Sequence, residues 1–184
     1  MKRPQKQVRR HIYLIGLSGS GKSTIGARLA ARTGSRFIDT DKVIATRFRT
    51  SIACLFERYG EQRFRKEETA VIRHIARLKA PSVVALGGGS VERTANRRLI
   101  RQSGIAIYLR CSLRELGRRL RNAQDRPLLG TGKTISEKLR EMLAWRKPMY
   151  ETADITISTT HHTVGAAVKR IIKRLEEYER ANRR

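Results

Sequence analysis

Gly16-Leu17-Ser18-Gly19-Ser20-Gly21-Lys22-Ser23 fits the pattern G-x-x-x-x-G-K-[ST]. Glycines at that spacing let a loop turn tightly and aim its backbone N–H groups inward. A helix N-terminus behind the loop adds positive potential, and the lysine reaches the outer phosphates. The run stands directly after the apolar stretch HIYLIG and directly before STIGARLAARTG, the strand-then-helix context that the motif demands. We therefore read a nucleoside triphosphate site, with ATP as the nucleotide. Gly19, Ser20, Gly21, Lys22, Ser23 and Thr24 receive the phosphates, and the Ser23 hydroxyl is offered to Mg²⁺.

A phosphoryl donor needs an acceptor, and acids are scarce enough here for their placement to inform. Asp39 and Asp41 are the first two acidic residues, after nine basic ones, and they close the short apolar run Phe37-Ile38. At the carboxyl end of a parallel strand, one can join the Mg²⁺ shell and the other can accept a hydroxyl proton. An aspartate there is equally a helix N-cap. Gly87-Gly88-Gly89 follows a third apolar run, and missing side chains let a ligand approach the backbone; a plain turn would read the same. Arg65 and Arg146 can clamp a carboxylate bidentately. In a chain with 30 arginines, spacing alone does not select these two.

These residues need a scaffold that brings strand ends together. HIYLIG at 11–16, RFID at 36–39, SVVALG at 82–87, IAIYLR at 105–110 and DITIS at 154–158 are brief, β-branched and nearly all apolar, as parallel strands covered on both faces should be. Helical patterns lie between them: STIGARLAARTG with Gly34 as its stop, and EQRFRKEETAVIRHIARLK with Phe64, Val71, Ile72, Ile75 and Leu78 on one face. The stretch from Val164 reads as a closing helix with Val164, Val168, Ile171, Ile172, Leu175 and Tyr178 inward. Alternation of this kind predicts an α/β three-layer fold. Residues 122–133 break the pattern with Pro127, Gly130 and Gly132 and read as a mobile lid. Residues 1–10 carry five basic residues and no apolar periodicity, so we expect a flexible basic tail before one domain spanning 11–184.

Composition narrows the classes. The net charge is +25, carried mostly by arginine, and 39% of residues are hydrophobic, enough for a core. The longest uncharged run, 14 residues with polar members, cannot span a membrane, and no secretory signal is legible. Two cysteines, Cys54 and Cys111, exclude a disulfide framework and suit the cytoplasm. His161 and His162, adjacent in a polar loop without carboxylate or Cys neighbours, read as solvated rather than as a metal pair.

Taken in order, GLSGSGKST at 16–24, FIDTD at 37–41, SIACLFERYGEQRFRKEE at 51–68, ALGGGSV at 85–91, DRPLL at 125–129 and AWRKPMYETAD at 144–154 resemble the shikimate kinase family. The likeness runs from about His11 to the C-terminal helix; its first segment is shared by many kinases, and the ordered set is specific. It implies a P-loop kinase fold of the nucleoside-monophosphate-kinase type, with a five-stranded parallel sheet in order 2-3-1-4-5 and a mobile lid. The implied reaction moves the ATP γ-phosphoryl to the 3-hydroxyl of shikimate, giving shikimate 3-phosphate for aromatic amino-acid synthesis. By position, Asp41 resembles the aspartate that holds the attacking hydroxyl, and Asp39 with Ser23 resembles the Mg²⁺ ligands. Arg65 and Arg146 match the carboxylate-binding arginines, and Glu68 matches the acid that orients Arg65. Gly88, flanked by Gly87 and Gly89, matches a substrate-contacting glycine, and Arg126 matches the lid arginine that closes over the phosphates. Lys22, Asp41 and Arg126 are then the catalytic set. Arg119 resembles an adenine-stacking arginine, while His162-Thr163-Val164-Gly165 departs from the family's usual Arg or Gln, residue, Pro.

Two rivals follow from the same residues. A kinase for a related small metabolite such as gluconate shares the donor chemistry, but a two-arginine carboxylate clamp argues against it. A nucleic-acid-binding protein would explain the charge, yet a tail of ten residues cannot form a helix-turn-helix, and no zinc or aromatic platform appears. The partners expected are ATP and shikimate, with no specific nucleic acid and no membrane, acting on a monomer.

Overall fold

His11–Ile15 (β1) is buried along its whole length, and successive side chains go to opposite faces. Ile12 and Leu14 join one apolar cluster, Tyr13 and Ile15 the other. The computed structural model describes residues 10–120 and 134–182; the expected lid at 122–133 and residues 1–9 of the expected tail lie outside the described residues. Arg36–Asp39 (β2), Ser82–Ala85 (β3), Gly104–Arg110 (β4) and Ile155–Ser158 (β5) complete a parallel sheet in the order β2-β3-β1-β4-β5, as the sequence predicts. β1 is central, its Ile12 level with Val83 on one side and Ile105 on the other.

Seven helices among the described residues cover the sheet. Lys22–Thr33 (α1) and Val164–Ala181 (α7) bury Ile25, Leu29, Val168, Ile171 and Leu175 against Ile12, Leu14 and the matching face of β4. Thr40–Phe48 (α2), Ile52–Ala76 (α3), Thr94–Ser103 (α4), Leu113–Leu120 (α5) and Ile135–Tyr150 (α6) supply the other face with Ile44, Phe64, Ile72, Ile100, Leu116 and Tyr150. Gly34 ends α1 in the left-handed conformation at φ 65°, the stop read from the sequence. The helix expected from Glu61 onward is the longer part of α3, which begins at Ile52, capped by the Ser51 hydroxyl. It breaks at Gly60, where φ 74° and ψ 166° are open to glycine. Among the described residues no helix is long and apolar enough to cross a membrane.

The strand order decides where chemistry can occur. The connections leaving β1 and β3 and the start of α2 after β2 share one edge on one side of the molecule. The ends of β4 and β5 lie beyond β1 on the other side.

Candidate active site

The loop after β1 carries Gly19 and Gly21 at φ 83° and 95°, backbone states that a side chain would strain. Gly21 is also the N-cap of α1, which has no side-chain cap and no acid in its first turn. The positive end of α1 is thus presented to the loop without a competing carboxylate. Lys22 Nζ donates to the carbonyls of Gly16 and Leu17 at 2.8 and 2.9 Å, so its ammonium sits over the loop. Ser23 Oγ donates to Asp39 Oδ2 at 2.6 Å, while Asp39 Oδ1 accepts from the Lys42 backbone at 3.3 Å and caps α2. Asp39 is therefore the N-cap of α2, with its other oxygen held by Ser23 of the phosphate loop. A cleft of about 430 Å³ runs from the loop along Ser23 and Thr24 to Arg119, Thr159, His162 and Val164.

Arg119 is built into this wall. Its guanidinium donates to the carbonyls of Gly19 at 3.2 Å and Thr159 at 3.0 Å and to Glu115 Oε1 at 2.8 Å, so one side chain joins the loop, α5 and the exit of β5. His162 lies against Arg170 Nη1 and lines the same cleft. Hydrogen bonds from Arg118, reinforced by Arg119, bring the Glu115 carboxyl down from about 4.5 to about 2. A depressed carboxyl stabilises the fold fully above its unfolded value and loses that contribution as pH falls. The difference in melting temperature between the wild type and Glu115→Gln should thus hold steady above about pH 4.5 and close toward pH 2. Melting curves that stay parallel down to pH 2 would contradict the pairing.

On the other side of β1 the acids and arginines converge. Buried Thr40 locks the start of α2 to the exit of β3, accepting from the Gly87 backbone at 3.1 Å and donating to the Ala85 carbonyl at 3.3 Å. This places Asp41 against the glycine run, its Oδ1 2.8 Å from where a Gly87 Cβ would stand. Glu68, fully buried, accepts from Arg65 Nη1 and from Ser90 Oγ, each at 2.6 Å, so α3 is tied to the same loop. Glu61 takes the Nε and Nη2 edge of Arg65 at 3.1 and 2.9 Å. Burial works against the Arg65 charge, but Glu68, Glu92 and Glu61 outweigh it and hold the guanidinium above its ordinary range. Arg146 donates through Nε to Glu92 Oε1 at 2.7 Å, and Arg65 Nη2 lies 3.8 Å from the same oxygen. Arg65 and Arg146 are 7% and 8% exposed, which separates them from solvated surface charge. Three carboxylates, those of Glu61, Glu68 and Glu92, thus gather around two guanidiniums, with Asp41 beside Glu68 at Gly87.

The three glycines differ in what they exclude. A Cβ at Gly89 would collide with the Arg65 guanidinium, and one at Gly87 would meet Glu68 at 2.5 Å and Asp41 at 2.8 Å. A Cβ at Gly88 would make ordinary van der Waals contact: among the described residues the nearest atoms are Gly16 O and Ser18 N at 3.6 Å and Arg146 Nη1 at 3.7 Å. Gly88 thus lies between the phosphate loop and Arg146. The Gly88 carbonyl is fixed by the buried Tyr150 hydroxyl at 2.6 Å, whose ring stacks on Tyr108. Burial raises the Tyr150 pKa, so it remains a donor.

Of the residues singled out from sequence, Ser23, Asp39 and Lys22 meet at the loop, and Asp41, Arg65, Gly87, Gly88, Gly89 and Arg146 meet beside it. Arg126 lies outside the described residues. Thr40, Glu61, Glu92 and Tyr150 take part without having been assigned a role. Glu92 and Tyr150 act across the fold, 54 residues from Arg146 and 62 from Gly88.

Comparison with known proteins agrees with this arrangement. The family model described as shikimate kinase matches residues 18–176. A shikimate kinase of Paracidovorax citrulli is 44% identical over 168 residues, covering 90% of this chain and 91% of the relative. That of Chlorobium chlorochromatii is 39% identical over 176 residues, covering 92% of each. The solved shikimate kinase of Acinetobacter baumannii, in complex with shikimate, superposes with a TM-score of 0.88 at 34% identity, over 93% of this chain and 95% of that one.

Proposed function

Because the chain belongs to the shikimate kinase family and transfers the γ-phosphoryl of ATP to the 3-hydroxyl of shikimate, we propose how its residues divide that work. The observation that carries the assignment is the convergence of Asp41 and the buried Arg65 and Arg146 on the Gly87–Gly89 run, beside the phosphate loop. Shikimate lying there turns its carboxylate to Arg146 and Arg65 and its hydroxyl toward Asp41 and the donor phosphate. The loop amides, Lys22 and the N-terminus of α1 hold the triphosphate, with Arg126 as a further cation. The adenine lies along Arg119 and His162. Asp41 accepts the hydroxyl proton as the oxygen attacks.

Mg²⁺ fits the residues present. Ser23 Oγ and Asp39 Oδ2 are adjacent hard oxygen donors at the phosphate loop, the ligand type that this ion takes beside water and phosphate oxygens. Bound there with the nucleotide, it supplies charge neutralisation for the phosphoryl group. The protein's own part is positioning and fixed electrostatics, since phosphoryl transfer needs little covalent help.

A coupled ADP-release assay with shikimate, run with and without Mg²⁺ and with gluconate as control acceptor, tests the assignment. Turnover should require shikimate and Mg²⁺ together. Equal rates with chelator would remove the metal from Ser23 and Asp39, and equal turnover on gluconate, which also carries a carboxylate, would overturn shikimate as the preferred acceptor.

A further inference from the structure

Glu92 is an acid between two arginines, on the loop that carries the glycines. That loop is held from several directions. Ser90 N donates to Gly87 O at 3.1 Å and Glu92 N to Gly89 O at 3.0 Å. Asn96 Nδ2 donates to the Ser90 carbonyl at 2.8 Å, and Arg97 Nη1 donates to the carbonyls of Val91 and Glu92 at 2.6 and 2.9 Å. Glu92 is therefore delivered by a fixed backbone, and its Oε1 meets Arg146 Nε at 2.7 Å with Arg65 Nη2 3.8 Å away. Arg146 is gripped at Nε, and its Nη1, which donates to Met142 Sδ at 3.5 Å, stands 3.7 Å from where a Gly88 Cβ would lie. Arg65 has Glu68 and Glu61 as partners; among the described residues, Glu92 is the acid paired with Arg146.

We infer that Glu92 is a positioning residue for the acceptor. It fixes the orientation of Arg146 and the spacing of Arg146 from Arg65, so that both forks meet one carboxylate. The inference rests on the reading of Arg65 and Arg146 as the carboxylate clamp. An arginine side chain left to its own rotamers loses the bidentate geometry that gives a guanidinium its preference for carboxylate, and two like charges left without a shared counter-ion separate. Glu92 neither touches the donor nor the reacting hydroxyl, so its removal should act on acceptor binding alone.

Steady-state kinetics of Glu92→Ala, Glu92→Gln and Arg146→Ala, with melting temperatures, test this. Glu92→Ala should raise the KM for shikimate about tenfold or more while kcat and the KM for ATP stay within about twofold. Glu92→Gln retains an oxygen that accepts from Nε, so it should recover most of that loss, to within about threefold of wild type. An unchanged shikimate KM in Glu92→Ala beside a raised one in Arg146→Ala would overturn the role of Glu92 and leave the clamp standing. An unchanged shikimate KM in Arg146→Ala would overturn both. Loss in Glu92→Ala spread over both substrates and the melting temperature would show a prop for the fold, which also overturns the proposal.

Discussion

Asp41→Asn should lower kcat by about three orders of magnitude while ATP binding changes by less than about twofold. The side chain is in the first turn of α2, with its Oδ1 against Gly87, whereas the triphosphate contacts proposed above are Gly19 to Thr24. Asparagine keeps the shape and the packing against the glycine run. It cannot take the proton that the shikimate hydroxyl must shed as it attacks, and it loses the charge that orients that hydroxyl. Nucleotide titration alongside initial rates checks the separation: affinity for ATP that falls in step with the rate would place Asp41 on the donor side instead.

Gly89→Ala should damage both the fold and the acceptor site. The new Cβ would collide with the Arg65 guanidinium, which cannot retreat without breaking its bonds to Glu68 at 2.6 Å and Glu61 at 2.9 Å. Overpacking of this kind costs about 1–3 kcal/mol, enough to lower the melting temperature by several degrees in a protein of this length. Displacement of Arg65 should also reduce kcat/KM for shikimate about a hundredfold. Gly88→Ala is the contrast: among the described residues its methyl meets atoms only at van der Waals distance, 3.6 Å and beyond, so the melting temperature should hold while kcat/KM for shikimate still falls. Wild-type kinetics in Gly88→Ala would mean that the acceptor does not lie against Gly88.

The parts of this site that were legible in the sequence are those fixed by local rules. The phosphate loop, its flanking strand and helix, and the Gly34 stop follow from residue types at short spacing, because the physics there is a few neighbouring φ values and an uncapped helix end. Strand runs read correctly because a buried parallel strand is apolar on both faces, as Ile12 to Ile15 are. What distinguishes Arg65 and Arg146 from the other arginines is burial among carboxylates, and burial is a property of the assembled fold. Glu92 and Tyr150 follow the same logic, since each meets its partner across more than fifty residues of chain. A hint of Glu92 was present, an acid just past the glycine run in a chain with 16 acids, but only the return of α6 to that loop gives it a partner. The break at Gly60 was hidden because Glu61 onward continues a clean apolar period.

The carboxylates around Arg65 and Arg146 assign attraction and discrimination to different length scales. Out to about 8 Å from the surface, the +25 charge draws anions in with little regard to their kind. Within contact range the surface excess no longer decides, because Arg65 and Arg146 are already met by Glu61, Glu68 and Glu92. What is left there to tell one anion from another is the geometry of two guanidinium forks rather than the amount of charge.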